Sequence, residues 1–470
     1  MSLLFDTPSV IDAETGAAKP ISLLVDMAKR LHAEWRSLSI GSSLPIVVSP
    51  RRGIDGIIDL LAAYAHDGAS AIVSDSQLDQ TAMVSPDGHH LDRPPKSVVV
   101  RNGQAAPGTE AFLPQWTQKD AQGRRMFASS GGSTGIPQLG EVPVGNLWPI
   151  PAAYQMTGME PGSRVYIGGP LSHSAFVWAF FTAVEANCTI VITRRFRPSD
   201  MAVALDRFHV SWALLPPPEF QAMSSIIRCN RWKPRSLHSV VSTGGRTSAA
   251  SRLEWYQALS PAQVFDMFAT TEGAGVLLAN GEEQLERQGT SGRAVWSKAE
   301  VRDPRSHAEC ARGDVGELFL RSLTRARADS SQFISTGDLA RIDEAGYVYL
   351  SGRTADEVVI EGQNINLEEI ARLITQFIPE SDVMVSEIRQ TNGANGQLGV
   401  AITCTHSQVA RVRREAARPI VNTFGALALP RRWMAVEALP LTENGKIDRK
   451  RVAQWLEDSA NGSVRREELA

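Results

Sequence analysis

"RVYIGGP" at residues 164–170 and "CTIVIT" at 188–193 flank "AFVWAFFTAV" at 175–184. This rhythm decides the fold. The outer runs are short and β-branched, as strands are. The middle run is too long for a strand and too short to span a bilayer, so it reads as a buried helix. The alternation continues both ways. Upstream, "PIVVSP" (45–50) precedes "GIDGIIDLLAAYAHDG" and "AIVSD" (71–75). Downstream come a helix through "DMAVALDRFH", then "SWALLPP" (211–217), "SVVSTGG" (239–245), "ASRLEWYQAL" (250–259) and "QVFDMFATTEG" (263–273). Short apolar strands alternating with helices predict an α/β fold, with parallel sheets covered by helices on both faces. Ligands of such sheets bind beyond the carboxyl ends of the strands. "GGP", "STGG" and "TTEG" each stand at such an end, so they are expected to share one site.

From about residue 296 the pattern changes to short strands, "AEVRD" and "GELFLRS", followed by "ARIDEAGYVYLSG", a hairpin with its turn at "DEAG". These predict a small antiparallel or β-barrel-like subdomain over 296–352. After it a mixed α+β pattern runs to "ALPLTENGKIDRKRVAQWLEDSA". The expected division is therefore a core over residues 1–352 and a smaller α+β domain over 353–470, with a frayed polar end.

Bulk properties exclude several functions. The 470 residues include 48 basic and 51 acidic side chains, and a formal net charge of -3 makes no electrostatic case for nucleic acid. Cys188, Cys229, Cys310 and Cys404 are widely spaced and form no C-x-x-C pair. They predict a reducing compartment without a disulfide framework or zinc knuckle. The start, "MSLLFDTPSVIDAE", lacks the basic and apolar regions of a secretory signal. A soluble cytoplasmic protein without a membrane span is expected. The nine histidines form no metal-ligand pattern.

One loop carries a further signal. "SSGGSTGIPQ" at 129–138 sets three glycines among hydroxyl side chains. Successive exposed N–H groups in such a turn attract anions, so the loop reads as a phosphate cradle or, since Gly and Ser are the commonest loop residues, as an ordinary surface loop, which composition alone favours. It lacks the Gly-Lys-Ser/Thr ending of a Walker loop.

Taken in order, these segments resemble the adenylate-forming superfamily of acyl- and aryl-CoA synthetases, peptide-synthetase adenylation domains and firefly-type luciferases. "SSGGSTGIPQ" is similar to its phosphate loop, "GGPLSHSAF" to its Pro-Leu-x-His segment and "STGGRTS" to its adenine-side glycine turn. "FATTEG" resembles Tyr-Gly-x-Thr-Glu, and "STGDLARIDEAGYVYLSGR" the Thr-Gly-Asp segment running into Gly-Arg. "DEVVIEGQNINLEEI" resembles the hinge-side motif, and "LPLTENGKIDRK" the C-terminal lysine motif. The resemblance covers roughly 45–453.

It implies a two-step reaction. A carboxylate attacks the α-phosphorus of ATP and releases pyrophosphate, and a thiol then displaces AMP from the acyl-adenylate. Ser129, Ser130, Gly131, Gly132, Ser133, Thr134 and Gly135 are then expected to hold the β- and γ-phosphates. Gly244, Gly245, Phe268, Ala269 and Thr270 would border the adenine, Thr271 the α-phosphate, and Glu272 would ligate Mg²⁺. Asp338 would accept from the ribose hydroxyls with Arg353 beside it. Lys446 would bridge the acid carboxylate and the α-phosphate, as a compact ammonium between two oxyanions. His173, Ser174, Phe176, Trp178 and Met267 are candidates for the acid pocket, and Gly362 for the thiol side. The 353–470 domain is expected to act as a mobile lid, turning near Arg353–Asp356.

The sequence departs from the family at several positions. Gln138 stands where lysine is usual, Phe268 and Ala269 replace Tyr-Gly, Val359 replaces a common lysine, and Ala355 occupies the hinge position. "LSHSAFVW" offers Ser174 and apolar residues where amino-acid-activating relatives place an aspartate. A buried, unpaired ammonium there would cost about 2–5 kcal/mol. The expected substrate is therefore an aryl or short to medium fatty acid without an α-amine. The acceptor is either CoA or the phosphopantetheine thiol of a separate carrier protein, and a degenerate nucleotide-binding regulator is the non-enzymatic alternative.

Overall fold

The computed structural model describes residues 8–37, 46–66, 69–73, 98–101, 104–110, 125–129, 139–142, 149–270, 273–304, 306–323, 332–353, 357–360, 363–388, 397–441 and 447–460. Ser130–Gly135, Gln138, Thr271, Glu272, Ala355, Gly362 and Lys446 lie outside them. By internal contacts the described residues fall into two compact units. The first holds residues up to 299 together with 320–334, and the second holds 300–319 and the chain from 335 onward.

The first unit contains the expected parallel sheets. A nine-stranded sheet has the spatial order Arg293–Val295, Val276–Asn280, Val264–Ala269, Ser239–Thr243, Trp212–Leu215, Arg164–Ile167, Thr189–Ile192, Ser9–Asp12 and Ala18–Pro20. Its six central strands run parallel, and antiparallel strands close each edge. Side chains alternate between two cores. Val165, Ile167, Trp212, Leu214 and Val241 face a cluster shared with the helices Ile21–Ser37, Ile54–Tyr64 and Ser174–Glu185. Tyr166, Ala213, Leu215 and Val240 face the opposite cluster, under the helices Pro198–Arg207, Pro217–Arg228 and Ala249–Ala258. A sheet buried on both faces explains why its strands read as apolar runs rather than alternating ones.

A six-stranded sheet, ordered Gln104–Glu110, Val98–Arg101, Ile46–Ser49, Ala69–Ile72, Arg125–Ser129 and Leu139–Val142, adds Ile46, Val48, Ile72, Met126 and Ala128 to the first cluster. Four helices, Pro149–Met156 being the fourth, thus contribute to the core between the two sheets. Ser129 ends a strand that runs parallel to Ala69–Ile72, so the glycine-rich loop leaves this sheet at a carboxyl end.

A four-stranded sheet takes Ser297–Arg302, Gly316–Ser322, Ile334–Ile342 and Val348–Arg353 in chain order. Its last two strands form the expected antiparallel hairpin, and Gly346 N donates to Asp343 O in the turn. Beyond it, Val383–Ile388, Gln397–Thr403 and Arg432–Val436 form a three-stranded sheet. Val385, Val400 and Ile402 face the helices Leu367–Thr375 and His406–Phe424, while Met384, Ala401 and Met434 face the helix Arg449–Ala460. Asn366, from the segment resembling the hinge-side motif, caps Leu367–Thr375 by accepting from Glu368 N and Glu369 N. No described helix is long and apolar enough to cross a membrane.

Candidate active site

At the carboxyl end of Arg164–Ile167 the chain breaks into Gly168–Gly169–Pro170–Leu171–Ser172–His173. Gly168 N still donates to Leu214 O at 2.8 Å, but Gly169 turns away with φ +75°. A Cβ there would lie 2.3 Å from the Phe176 ring, so only glycine fits. His173 N closes the turn on Pro170 O at 3.1 Å. The imidazole then caps the helix Ser174–Glu185, its Nδ1 accepting from Ala175 N at 3.3 Å. That contact fixes the ring, which is 8% exposed and has its centroid 5.6 Å from that of Phe176.

The outer edge of the ring meets the second motif. Gly244 follows the strand Ser239–Thr243 with φ +91°, a conformation that favours glycine. A Cβ on Gly244 would stand 3.8 Å from both Cε1 and Nε2 of His173. The Pro-Leu-x-His segment and the glycine turn, 71 residues apart between His173 and Gly244, therefore converge at the carboxyl ends of the parallel strands.

The turn is held from below by polar side chains that local sequence reasoning did not single out. Thr243 Oγ1 donates to Met267 O at 2.9 Å, and Thr247 Oγ1 donates to the Asp266 carboxylate at 3.0 Å. Arg252 reaches both Thr247 O and Asp266, while Gln284 Nε2 donates to Asp266 Oδ2 at 2.7 Å. Tyr256 in turn donates to Gln284 Oε1, and burial pushes its phenol up to about 12, so it remains a donor at neutral pH. A carboxylate with this many partners gives the loop one geometry. The signal in the sequence was the clustering of Asp266, Thr247 and Arg252 around two glycine-rich strand ends, but their pairing needs the sheet register.

Phe268 and Ala269 end the next strand, Thr270 follows it, and all three are half-buried. Thr270 opens a turn, accepting from Gly273 N through its carbonyl and from Ala274 N through its hydroxyl. Of the acid-pocket candidates, Ser174, Phe176, Trp178 and Met267 are all at most 5% exposed, and the three apolar ones belong to the core between the sheets. Phe176 is the one that backs the Gly169 turn.

In the second unit, Asp338 and Arg353 stand opposite each other in the antiparallel hairpin. Asp338 is buried, with its backbone N–H donating to Thr336 Oγ1 at 3.1 Å. Among the described residues no cluster of three or more His, Cys, Asp or Glu could hold a metal ion. Glu272, the expected magnesium ligand, lies outside them, as do the phosphate-loop residues after Ser129, Thr271, Gly362 and Lys446.

A helix-covered parallel sheet whose glycine-rich strand ends meet around one histidine has the arrangement of an α/β protein that binds its ligand beyond the strands' carboxyl ends. The chain belongs to the family of AMP-binding enzymes, whose sequence profile matches residues 62–327. It is 24% identical over 302 residues to an uncharacterized acyl–CoA ligase, YhfT, of Bacillus subtilis (strain 168). The match covers 63% of this chain and 61% of YhfT, so the chain spans about three fifths of that relative's length. Its fold is similar to the amide bond synthetase McbA from Marinactinospora thermotolerans, with a TM-score of 0.67 and 18% identity, covering 96% of this chain and 98% of McbA. It is also similar to the O-succinylbenzoate coenzyme A synthetase of Bacillus subtilis in complex with ATP and magnesium, with a TM-score of 0.66 and 15% identity, covering 96% of this chain and 97% of the other.

Proposed function

We propose that this chain is an ATP-dependent, AMP-forming acid–thiol ligase. It activates a carboxylic acid lacking an α-amine and passes the acyl group to CoA. Family membership supports the adenylating half-reaction. The observation that carries the reading further is the meeting of His173 with Gly244, because it joins the acid-side and adenine-side segments where an open α/β sheet binds its ligands.

In this reading Gly244, Gly245 and the half-buried Phe268, Ala269 and Thr270 border the adenine. Asp338, with Arg353 opposite it, accepts from the ribose hydroxyls. Ser129 opens the loop through Gly135 that holds the β- and γ-phosphates, Thr271 stands by the α-phosphate, and Glu272 ligates Mg²⁺. Magnesium would neutralise phosphate charge. Lys446 holds the two anions together in the adenylation step, and the 353–470 domain carries it as a lid with Gly362 on the thiol side.

The segment beside His173 supports a substrate without an α-amine. Glu219 is the carboxylate that touches it, and Arg52 already pairs with that group at 2.7 Å. Ser174, Phe176 and Trp178 supply no anion for an ammonium.

The test is pyrophosphate release with ATP and Mg²⁺ across aryl, fatty and amino acids, with hydroxylamine, CoA and a phosphopantetheinylated carrier protein as acceptors. An aryl or fatty acid should turn over with CoA, and Lys446→Ala should lower the rate at least about a hundredfold. Silence across the whole panel with ATP still bound would reject the ligase reading, and transfer to the carrier alone would replace CoA as acceptor.

A further inference from the structure

Glu219 has no place in the reaction outlined above, yet it is a buried acid in contact with the Gly168–His173 segment. It follows "PPP" at 216–218 and lies in the first turn of the helix Pro217–Arg228, where prolines set the helix start and an acidic side chain suits the helix dipole. Those preferences would be met with the carboxylate in solvent. Instead Glu219 is 4% exposed. Its Oε1 accepts from Arg52 Nη2 at 2.7 Å and from Gly169 N at 3.3 Å. Its Oε2 is buried and has no hydrogen-bond partner among the described residues.

The two glycines of the segment are gripped from different sides. A Cβ on Gly168 would meet Glu219 Oε2 at 2.4 Å, and a Cβ on Gly169 would meet the Phe176 ring at 2.3 Å. The carboxylate and the ring therefore leave no room for a side chain at either glycine, and four residues later the chain reaches His173. Arg52 comes from elsewhere, in the loop after the strand Ile46–Ser49 of the six-stranded sheet. The ion pair thus ties the strand ends of one sheet to the turn that aims His173 in the other.

We infer that Arg52 and Glu219 are positioning residues for the acid-binding segment, setting where His173 stands over the glycine turn. An ion pair with one oxygen unsatisfied is a poor way to join two sheets for stability alone, since a well-packed apolar pair does so at no desolvation cost. What it gives is direction: a planar guanidinium locks one carboxylate oxygen, which in turn orders the Gly169 N–H. Both residues act through the segment rather than on the reacting atoms.

The kinetic arm of the test rests on the ligase reading, and the spectroscopic arm does not. Glu219→Gln keeps the shape and removes the charge, Arg52→Lys keeps the charge and removes the fork, and Arg194→Ala breaks a different ion pair, with Asp12, as the control. In the ligand-free protein, the His173 Cε1–H resonance, assigned by its loss in His173→Asn, should move in Glu219→Gln and Arg52→Lys but not in Arg194→Ala. With the acid of the panel that turns over fastest, KM for that acid should rise about tenfold or more while KM for ATP stays within about twofold. An unmoved His173 resonance, with both KM values unchanged and only the melting temperature lowered, would overturn the inference and leave the pair as a tie between sheets. If no acid is adenylated by the unaltered protein, the ligase reading fails and the resonance alone decides this one. If Glu219→Gln does not fold, the same readouts in Arg52→Lys separate the two outcomes.

Discussion

The two ends of the nine-stranded sheet are built from similar residue types and arrange them differently. At the amino ends, Met156, Thr157, Glu160, Ser211, His238, Ser239 and Gln263 surround a cavity of about 240 Å³. Two of them are bonded into the surrounding core: Trp212 Nε1 donates to Thr157 Oγ1 at 3.0 Å, Thr157 Oγ1 to Tyr154 O at 2.7 Å, and Ser239 Oγ to Thr157 O. At the carboxyl ends the polar side chains lie beneath the loops and hold them, as Asp266 and Thr247 do, while glycine and His173 form the meeting point. A hollow whose polar groups bond into the surrounding core is a feature of packing, whereas positive-φ glycine turns held by a polar network mark where a ligand is expected.

The strongest way to break this contrast is Gly244→Ala. A side chain at φ +91° costs about 1–2 kcal/mol of strain, and its Cβ would stand 3.8 Å from His173. The expected result is a modest loss in denaturant midpoint together with about a hundredfold loss of pyrophosphate release, because relief of the φ strain would shift the turn; the added Cβ itself makes only ordinary van der Waals contact with His173. A variant that loses stability but keeps its turnover would remove the glycine turn from the site. Thr157→Val at the other end should give the reverse. It deletes both hydroxyl bonds and leaves Trp212 Nε1 unpaired in the core, at about 1–2 kcal/mol, while turnover per folded molecule stays unchanged. Lost turnover in the folded Thr157→Val protein would mean that the amino-end cavity also serves the reaction.

The carboxyl end was more legible in the sequence than the amino end, for a physical reason. Gly-Gly and Ser-Thr-Gly-Gly at strand ends are local signals, since backbone geometry dictates the residue type on the spot. The helix expected over 175–184 spans Ser174–Glu185, and the "DEAG" turn stands where its Asp and Gly placed it. His173 as helix cap was hidden, because histidine is no preferred capping residue. Ser9–Asp12 was also missed. Four residues show no usable period, and the strand's identity comes from pairing with Thr189–Ile192 far along the chain. The apolar run could not divide Phe176 and Trp178 between pocket and core, because both fates demand the same residue types. The Arg52–Glu219 pair spans 167 residues, and no local signal in the sequence announces it.

The smallest expected effect separates the two ends by pH. Asp12 closes the strand Ser9–Asp12 at its carboxyl end. Burial works to raise its pKa, but hydrogen bonds from Thr15 N and Arg194 Nε, at 3.1 and 2.8 Å, outweigh that and hold the carboxyl below its ordinary value. A depressed folded pKa means that the native state binds fewer protons than the unfolded chain. The contribution is therefore complete above the unfolded carboxyl value of about 3.9, and it is lost as pH falls through the lower folded one. Arg194→Ala removes one partner, so its melting temperature should lie below that of the unaltered protein at pH 6 and converge on it as pH drops below about 4. Because Arg194 is half exposed, added salt should shrink the difference as well. Thr157→Val removes no charge, and its offset should stay constant across the same range. Parallel curves for both variants would show that Arg194 acts on Asp12 by packing alone and would erase the electrostatic distinction between the two ends of the sheet.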